Sequence, residues 1–88
     1  MSLRDQLRVM VVDDMSTSRG LINQALDAMG VRSVASAADG PSALRLIEAN
    51  PVHLVISDYN MPDMSGLHLL HALRTAPKTA KVGFLLIT

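Results

Sequence analysis

The sequence predicts an α/β protein built on a parallel sheet, and two observations lead to this prediction. Short apolar runs, such as Arg8 to Val12 and His53 to Ser57, are typical of strands that are buried on both faces. They alternate with longer segments whose apolar residues recur at helical spacing. The resulting order, βαβαβαβ, implies right-handed crossovers that connect parallel strands.

The first helix is expected to follow the first strand closely. Ser16 or Thr17 can cap its start and Gly30 can end it, because these residue types are favoured at helix termini. Its apolar residues predict one inward face: Leu21, Ile22, Ala25, Leu26 and Met29. A second, weaker strand is predicted from Val31 to Ser36.

The second and third helices have clearer boundary signals. The run Asp39-Gly40-Pro41 predicts a helix start with Pro41 at the first helical position, and Asn50-Pro51 predicts its end. Ser65 is expected to cap a third helix, and a fourth strand is predicted from Val82 to Ile87. The predicted inward residues of the third helix are Leu67, Leu70 and Leu73.

The composition limits the possible functions. The chain has 88 residues, enough for one small domain, and 49% of them are apolar, enough for a core. Eight basic residues balance eight acidic ones without a basic stripe, so no nucleic-acid partner is expected. Cysteine is absent, which excludes thiol chemistry. No run approaches the ~20 apolar residues of a membrane span, so a cytoplasmic protein without a membrane partner is expected.

Acidic residues stand at the ends of two predicted strands. Asp13 and Asp14 follow the first strand, and Asp58 follows the third. Parallel neighbours end at the same edge of a sheet, where open α/β sheets bind ligands. Two carboxylates about 4 Å apart repel by roughly 4 kcal/mol at an effective dielectric near 20, so the cluster must take up protons or hold a cation. Because the ligands are oxygen atoms, Mg²⁺ is the expected cation.

These residues also match the motifs of a known family. The run Val11-Val12-Asp13-Asp14, the segment 57–67 (SDYNMPDMSGL) and the final 85–88 (LLIT) resemble the receiver domain of bacterial response regulators. The resemblance implies a flavodoxin-like sheet with strand order 2-1-3-4. The chain stops before the family's fifth strand and last two helices. Residues 1–88 are therefore expected to form a single incomplete receiver domain, truncated at its C-terminus.

The resemblance also implies a role for each residue of the acidic site. Asp58 corresponds to the phosphoacceptor of the family. Asp13, Asp14, Asp58 and the backbone carbonyl of Asn60 correspond to its Mg²⁺ ligands, with Asp14 as the direct ligand of the first pair. Thr88 corresponds to the residue that contacts the phosphoryl group and reports phosphorylation.

The function implied by the resemblance is two-component signalling, in chemotaxis. A histidine kinase would donate the phosphoryl group, and the domain would assist its own phosphorylation and dephosphorylation without being an enzyme in the ordinary sense. The family's lysine stands at the end of the fifth strand, beyond this chain. Lys78 and Lys81 precede the fourth strand, roughly 20 Å from the site, and do not replace it. Impaired output is therefore expected.

The apolar fourth strand raises an alternative function. With no neighbour beyond it, this strand is expected to expose Phe84, Leu85, Leu86 and Ile87 and to form a homo-oligomer through its edge. The alternative is thus a self-assembling structural fragment of a receiver whose acidic pocket is vestigial. A flavin protein on the same fold is disfavoured, because adjacent carboxylates after the first strand repel phosphate. An aspartate-based phosphatase is disfavoured because it needs acidic residues two positions apart at one strand end, whereas Asp13 and Asp14 are adjacent.

Overall fold

A parallel sheet of four strands organises the protein, and the computed structural model describes its residues 6–87. The elements in chain order are β1 (Arg8–Val12), α1 (Ser16–Ala28), β2 (Ser33–Ala37), α2 (Gly40–Ala49), β3 (Leu54–Asp58), α3 (Gly66–Thr75) and β4 (Gly83–Ile87). The strand order β2-β1-β3-β4 confirms the predicted flavodoxin-like fold. Among residues 6–87, no helix is long and apolar enough to cross a membrane.

The first helix starts differently from the prediction. Met15 is its N-cap residue and makes no side-chain capping hydrogen bond, so the expectation for Ser16 or Thr17 was wrong. Asp13 explains the difference, because its Oδ1 accepts a hydrogen bond from the Met15 N–H at 2.9 Å and the helix begins directly after this turn. The predicted cap at Ser65 is confirmed, since its side chain accepts from the His68 N–H.

The second strand begins two residues later than predicted. Gly30 adopts a positive φ of 86°, which ends α1 as expected. The Val31 N–H then donates to the Leu26 carbonyl at 3.0 Å, so Val31 still belongs to the helix terminus. The strand therefore starts at Ser33, where pairing with Arg8 of β1 begins.

The two faces of the sheet carry separate apolar clusters. The two-helix face is covered by α2 and α3, and its buried residues are Met10, Val12, Ala37, Ala43, Ile47, Val55, Leu69 and Leu73. The one-helix face carries α1, and its buried residues are Val9, Val11, Leu26, Val31 and Ile56. Alternate residues of β1 therefore enter opposite clusters, as expected for a strand that is buried on both sides.

Coverage of the one-helix face is incomplete. Helix α1 packs against β1 and β2, so β4 has no helix over it on this face in the described part of the chain. Leu21 is 63% exposed, Met29 is 59% exposed and Ala25 is also exposed, so the predicted inward face of α1 is wrong for these three residues. Leu67 of α3 was likewise predicted inward and is exposed, while Leu69 is fully buried.

The fourth strand is only partly exposed, which corrects one expectation. Leu85 is 54% exposed and Ile87 40%, and both lie on the one-helix face. Phe84 lies on the opposite face and packs against the two-helix cluster, and Leu86 is also half-buried. The alternation of side chains along a strand accounts for the difference, because Phe84 lies on the face of the two-helix cluster while Leu85 and Ile87 lie on the other.

Candidate functional site

The acidic residues that follow β1 and end β3 converge at the carboxyl edge of the sheet. Each of Asp13, Asp14 and Asp58 offers a carboxylate oxygen within 4.8 Å of the other two. The strands that carry them are hydrogen-bonded neighbours, with Val12 in register with Ser57. The expected convergence of the carboxylates is therefore observed, and it follows directly from the parallel pairing of β1 with β3.

Asp13 is the most firmly held residue of the cluster. It is 5% exposed, and its N–H donates to the Ala37 carbonyl of β2 at 3.1 Å. Its Oδ1 accepts from the Met15 N–H, and its backbone carbonyl accepts from Arg19 Nη1 at 2.7 Å. The backbone on both sides of the carboxylate is thus fixed, and one carboxylate oxygen already has a protein partner.

The other two carboxylates are more accessible. Asp14 is exposed, and Asp58, the last residue of β3, is half-buried. Asp58 is in register with Ile87, and the fully buried Ser57 donates its hydroxyl to the Asp58 carbonyl at 2.9 Å. The backbone of Asp58 is therefore anchored in the sheet while its side chain can be reached from solvent.

The loop from Tyr59 to Ser65 begins directly after Asp58 and contains Asn60. At its two ends, the Tyr59 N–H donates to the Ile87 carbonyl and the Gly66 N–H donates to the Tyr59 carbonyl, both at 2.9 Å. Asn60 is exposed and lies two residues beyond Asp58, at the same edge of the sheet. Thr88, predicted to contact the phosphoryl group, lies outside the described residues.

A glycine allows α3 to start against the end of β3. A methyl group at Gly66 would lie 2.6 Å from the Asp58 carbonyl oxygen and 3.2 Å from Tyr59 Cα, and it would also overlap Leu86 Cδ1. Two of these contacts are to backbone, which cannot rotate away. Glycine at this position is therefore required by close approach, since Gly66 has no positive φ.

Sequence reasoning missed Arg19 as a partner of the site. Its side chain reaches back from the first turns of α1 to the Asp13 carbonyl. The sequence contains one signal for this contact, which is that Arg19 follows Asp13 and Asp14 by a few residues. The sequence alone does not distinguish such an arginine from one that is simply solvated. Its partner is a backbone oxygen, which has no signature in the sequence.

A further carboxylate lies at the end of β2 and has a different role. Asp39 caps α2, and its Oδ1 accepts from the Ser42 N–H at 2.8 Å. Hydrogen bonding from Ser42, aided by the charge of Arg45, holds the pKa of Asp39 below its ordinary value of 3.8. Asp39 is not part of the acidic cluster, and its hydrogen bond stabilises a helix start.

Comparison with known proteins places these features in a family. Residues 9–88 match the response regulator receiver domain. The chain is 43% identical over 88 residues to a probable chemotaxis protein CheY of Rhizobium etli, covering 100% of this chain and 68% of that protein. It is 33% identical over 82 residues to the chemotaxis protein CheY of Pseudomonas aeruginosa, covering 93% of this chain and 66% of the relative.

Solved structures agree with the sequence relatives. The BeF3-activated structure of the response regulator Chey2-Mg²⁺ from Sinorhizobium meliloti has a TM-score of 0.78 at 45% identity, covering 98% of this chain and 67% of that one. CheY4 of Vibrio cholerae has a TM-score of 0.84 at 31% identity, with coverages of 91% and 66%. The chain thus spans about two thirds of the length of these relatives. With this fold, these motifs at the sheet edge and this similarity, the chain belongs to the response regulator receiver family, whose members act in two-component signalling.

Proposed function

We propose that this chain accepts a phosphoryl group from a histidine kinase on Asp58, with Mg²⁺ bound beside it, as a receiver of chemotaxis signalling. The observation that supports this proposal is the gathering of the Asp13, Asp14 and Asp58 carboxylates at the carboxyl edge of the sheet. Membership of the receiver family and similarity to chemotaxis proteins support the signalling context.

The donor set fits Mg²⁺. The available side-chain ligands are carboxylate oxygens, which Mg²⁺ prefers over nitrogen or sulfur. Oxygens on opposite sides of a Mg²⁺ ion lie about 4 Å apart, so carboxylates within 4.8 Å need only small rotations to share one ion. The Asn60 carbonyl would complete the protein ligands. When bound, the ion would screen the negative charges of the phosphoryl group and the carboxylates from one another.

Asp58 is suited to act as the nucleophile. Its carboxylate is half-buried and reachable from solvent, while its backbone is held by the sheet. An Oδ–P bond forms as the P–N bond of a phosphohistidine breaks, and the electron pair returns to the imidazole nitrogen. Asp13 and Asp14 keep the pocket selective for a cation. Thr88 would contact the phosphoryl oxygens.

Mass spectrometry after incubation with acetyl phosphate and Mg²⁺ tests this function. The wild-type chain should gain the mass of one phosphoryl group, and Asp58→Asn should gain none. Asp63→Asn is a matched control, because Asp63 lies in the same loop and asparagine tolerates its positive φ of 68°. This control should be phosphorylated like the wild type. A wild-type chain that gains no mass, or an Asp58→Asn variant that does, would contradict the proposal.

We further propose, as the second function, that the 88-residue chain associates with a second copy through β4. Within residues 6–87, β4 pairs only with β3, so its other edge is open, and Leu85 and Ile87 add exposed apolar surface beside it. A two-fold dimer that pairs the β4 edges is the simplest closed arrangement. In this case the acidic pocket would have no signalling role in the chain as it stands.

Light scattering coupled to size exclusion tests the association. A concentration-dependent dimer is expected for the wild type, and Leu85→Lys should shift it to monomer. Leu46→Lys is the matched control, because Leu46 is 42% exposed on α2, which packs near the opposite edge of the sheet. A wild-type monomer at every concentration would exclude dimerisation, and a dimer that accepts a phosphoryl group on Asp58 would show that the acidic pocket is not vestigial.

A further inference from the structure

We propose that Gly40 and Met64 are positioning residues of the acidic site: their packing contact fixes the loop that carries Asn60. This inference rests on the proposed function and deepens it, because it identifies what holds one side of the Mg²⁺ site in place. The contact joins the start of α2, at the end of β2, to the loop that follows β3. Neither residue is a member of the carboxylate cluster itself.

The contact between Gly40 and Met64 is unusually close. A methyl group at Gly40 would lie 2.5 Å from Met64 Sδ and 2.9 Å from both its Cβ and its Cγ. The thioether end of methionine is flexible, but its Cβ is fixed to the backbone. A side chain at position 40 would therefore move the backbone of the loop at Met64 as well as its side chain. Gly40 is itself buried, so the start of α2 cannot easily retreat.

Packing is the main restraint on the middle of this loop. The hydrogen bonds of Tyr59 with Ile87 and Gly66 hold the loop where it leaves β3 and where it meets α3. Between these points, the Met64 N–H donates to the Pro62 carbonyl at 2.7 Å, a bond that lies within the loop and does not tie it to the sheet.

Two methionine side chains provide that tie. Met61 and Met64 both pack against the buried cluster of the two-helix face. Met64 in addition fits against Gly40, where no side chain intervenes. Asn60 directly precedes Met61 and lies four residues before Met64. The position of its carbonyl therefore depends on how closely these two side chains pack against the cluster.

Loss of this contact should weaken Mg²⁺ binding more than it weakens the fold. Mg²⁺ demands near-ideal octahedral geometry at about 2.0–2.1 Å, so a displacement of a few tenths of an ångström at one ligand is costly. The cap of α2 should survive, because the Ser42 N–H donates to the Asp39 side chain and not to Gly40. The strands that carry the carboxylates should also remain paired.

Mg²⁺ titration of the full chain, followed by Tyr59 fluorescence, tests the inference. Tyr59 is the only tyrosine and lies next to Asp58. Gly40→Ala should raise the Kd for Mg²⁺ roughly 10-fold, as expected when a support of a metal ligand is removed. Gly20→Ala is the matched control, because a methyl group there meets no atom within 4 Å, and its Kd should equal that of the wild type.

Two further variants keep the test valid if Gly40→Ala folds poorly. Met64→Ala removes the contact without crowding and should also raise the Kd, whereas Met64→Leu, which fills similar space, should retain most of the affinity. In the metal-free protein, the amide NMR shifts of Asn60, Met61, Asp63 and Met64 should move in Gly40→Ala and not in Gly20→Ala.

The outcomes separate this inference from the proposed function. A wild-type chain that binds Mg²⁺ and accepts phosphate, together with Gly40→Ala and Met64→Ala of unchanged Kd, overturns the positioning role alone. A wild-type chain that does not respond to Mg²⁺ overturns both. Lower thermal stability with unchanged Kd would assign the contact a purely structural role and would likewise contradict the inference.

Discussion

The two loops that bring carboxylates to the sheet edge are held by different forces. After β1, the turn at Asp13 is fixed by hydrogen bonds to Met15, Ala37 and Arg19. After β3, the loop 59–65 has hydrogen bonds to the rest of the described chain only at its ends, and its middle depends on packing. The turn at Asp13 (the polar turn) should therefore be sensitive to the loss of hydrogen-bonding groups. The loop 59–65 (the packed loop) should be sensitive to changes in side-chain volume.

Gly66→Ala should have the largest effect, because it disrupts the packed loop where it meets the end of β3, the strand that carries Asp58. The added methyl group would lie 2.6 Å from the Asp58 carbonyl oxygen, so either β3 or α3 must shift. We expect phosphorylation by acetyl phosphate to be lost and the free energy of unfolding to fall by about 1–3 kcal/mol. Mass spectrometry and urea denaturation measure the two effects. A Gly66→Ala variant that is still phosphorylated would show that the loop can accommodate the added methyl group.

Asp13→Asn tests the polar turn and should separate binding from stability. Asparagine can still accept from the Met15 N–H, but the cluster loses one charge. We expect Mg²⁺ affinity to fall roughly 10-fold or more. The metal-free protein should become more stable by about 1 kcal/mol, less than an unscreened pair would give, because solvent reaches Asp14 and Asp58.

Urea denaturation with and without Mg²⁺ checks this prediction. Asp13→Ala provides the comparison, because it removes the acceptor of the Met15 N–H together with the charge. It should gain less stability than Asp13→Asn. A metal-free Asp13→Asn protein that is less stable than the wild type would show that repulsion among the carboxylates is negligible.

Arg19→Met should have a smaller effect on the same turn. The variant keeps the apolar stem of the side chain and removes the donor to the Asp13 carbonyl, at 2.7 Å in the wild type. A loss of about 1 kcal/mol in the free energy of unfolding is expected for a half-buried hydrogen bond of this kind. Arg45→Met is the matched control, since Arg45 is exposed and its hydrogen bond in the described part of the chain is to the Ser42 hydroxyl and not to the acidic site. Equal losses in the two variants would argue against a special role for Arg19.

Asp39→Asn should have the smallest effect, and one that depends on pH. Because the pKa of Asp39 is lowered in the folded state, its charge stabilises the protein fully above about pH 3.8. This stabilisation is lost as the pH falls through the lowered pKa. Asparagine retains the capping acceptor, so Asp39→Asn should melt slightly below the wild type at pH 7 and equal it in strong acid. A difference in Tm that stays constant with pH would contradict this origin.

Local sequence signals predicted most of the fold. The strands, the cap at Ser65 and the convergence of the three carboxylates all follow from residue type and period. The start of α2 was predicted to within one residue, since the helix begins at Gly40 and not at Pro41. These features depend on short stretches of chain and on the general behaviour of parallel sheets. They therefore need no knowledge of which side chains meet across the core.

The features that escaped prediction depend on tertiary packing. Leu21 and Met29 fit the helical stripe of α1 but remain exposed, because α1 covers only the β1 and β2 part of its face. Met15 becomes the N-cap residue of α1 because the Asp13 side chain accepts from its N–H, and the residue preferences for helix caps do not anticipate this. Gly40 and Met64 are 24 residues apart, and nothing local indicates that they touch.

The central position of β1 has a consequence for biosynthesis. β1 must pair with β3, and the Arg8 N–H donates to His53 Nδ1 across 45 residues of chain. At about 5–20 residues per second, the ribosome needs on the order of seconds to supply that partner. During this interval the apolar residues of β1 are available to chaperones and to other nascent chains. Codons that slow translation between the two strands are therefore expected to lower the yield of folded protein.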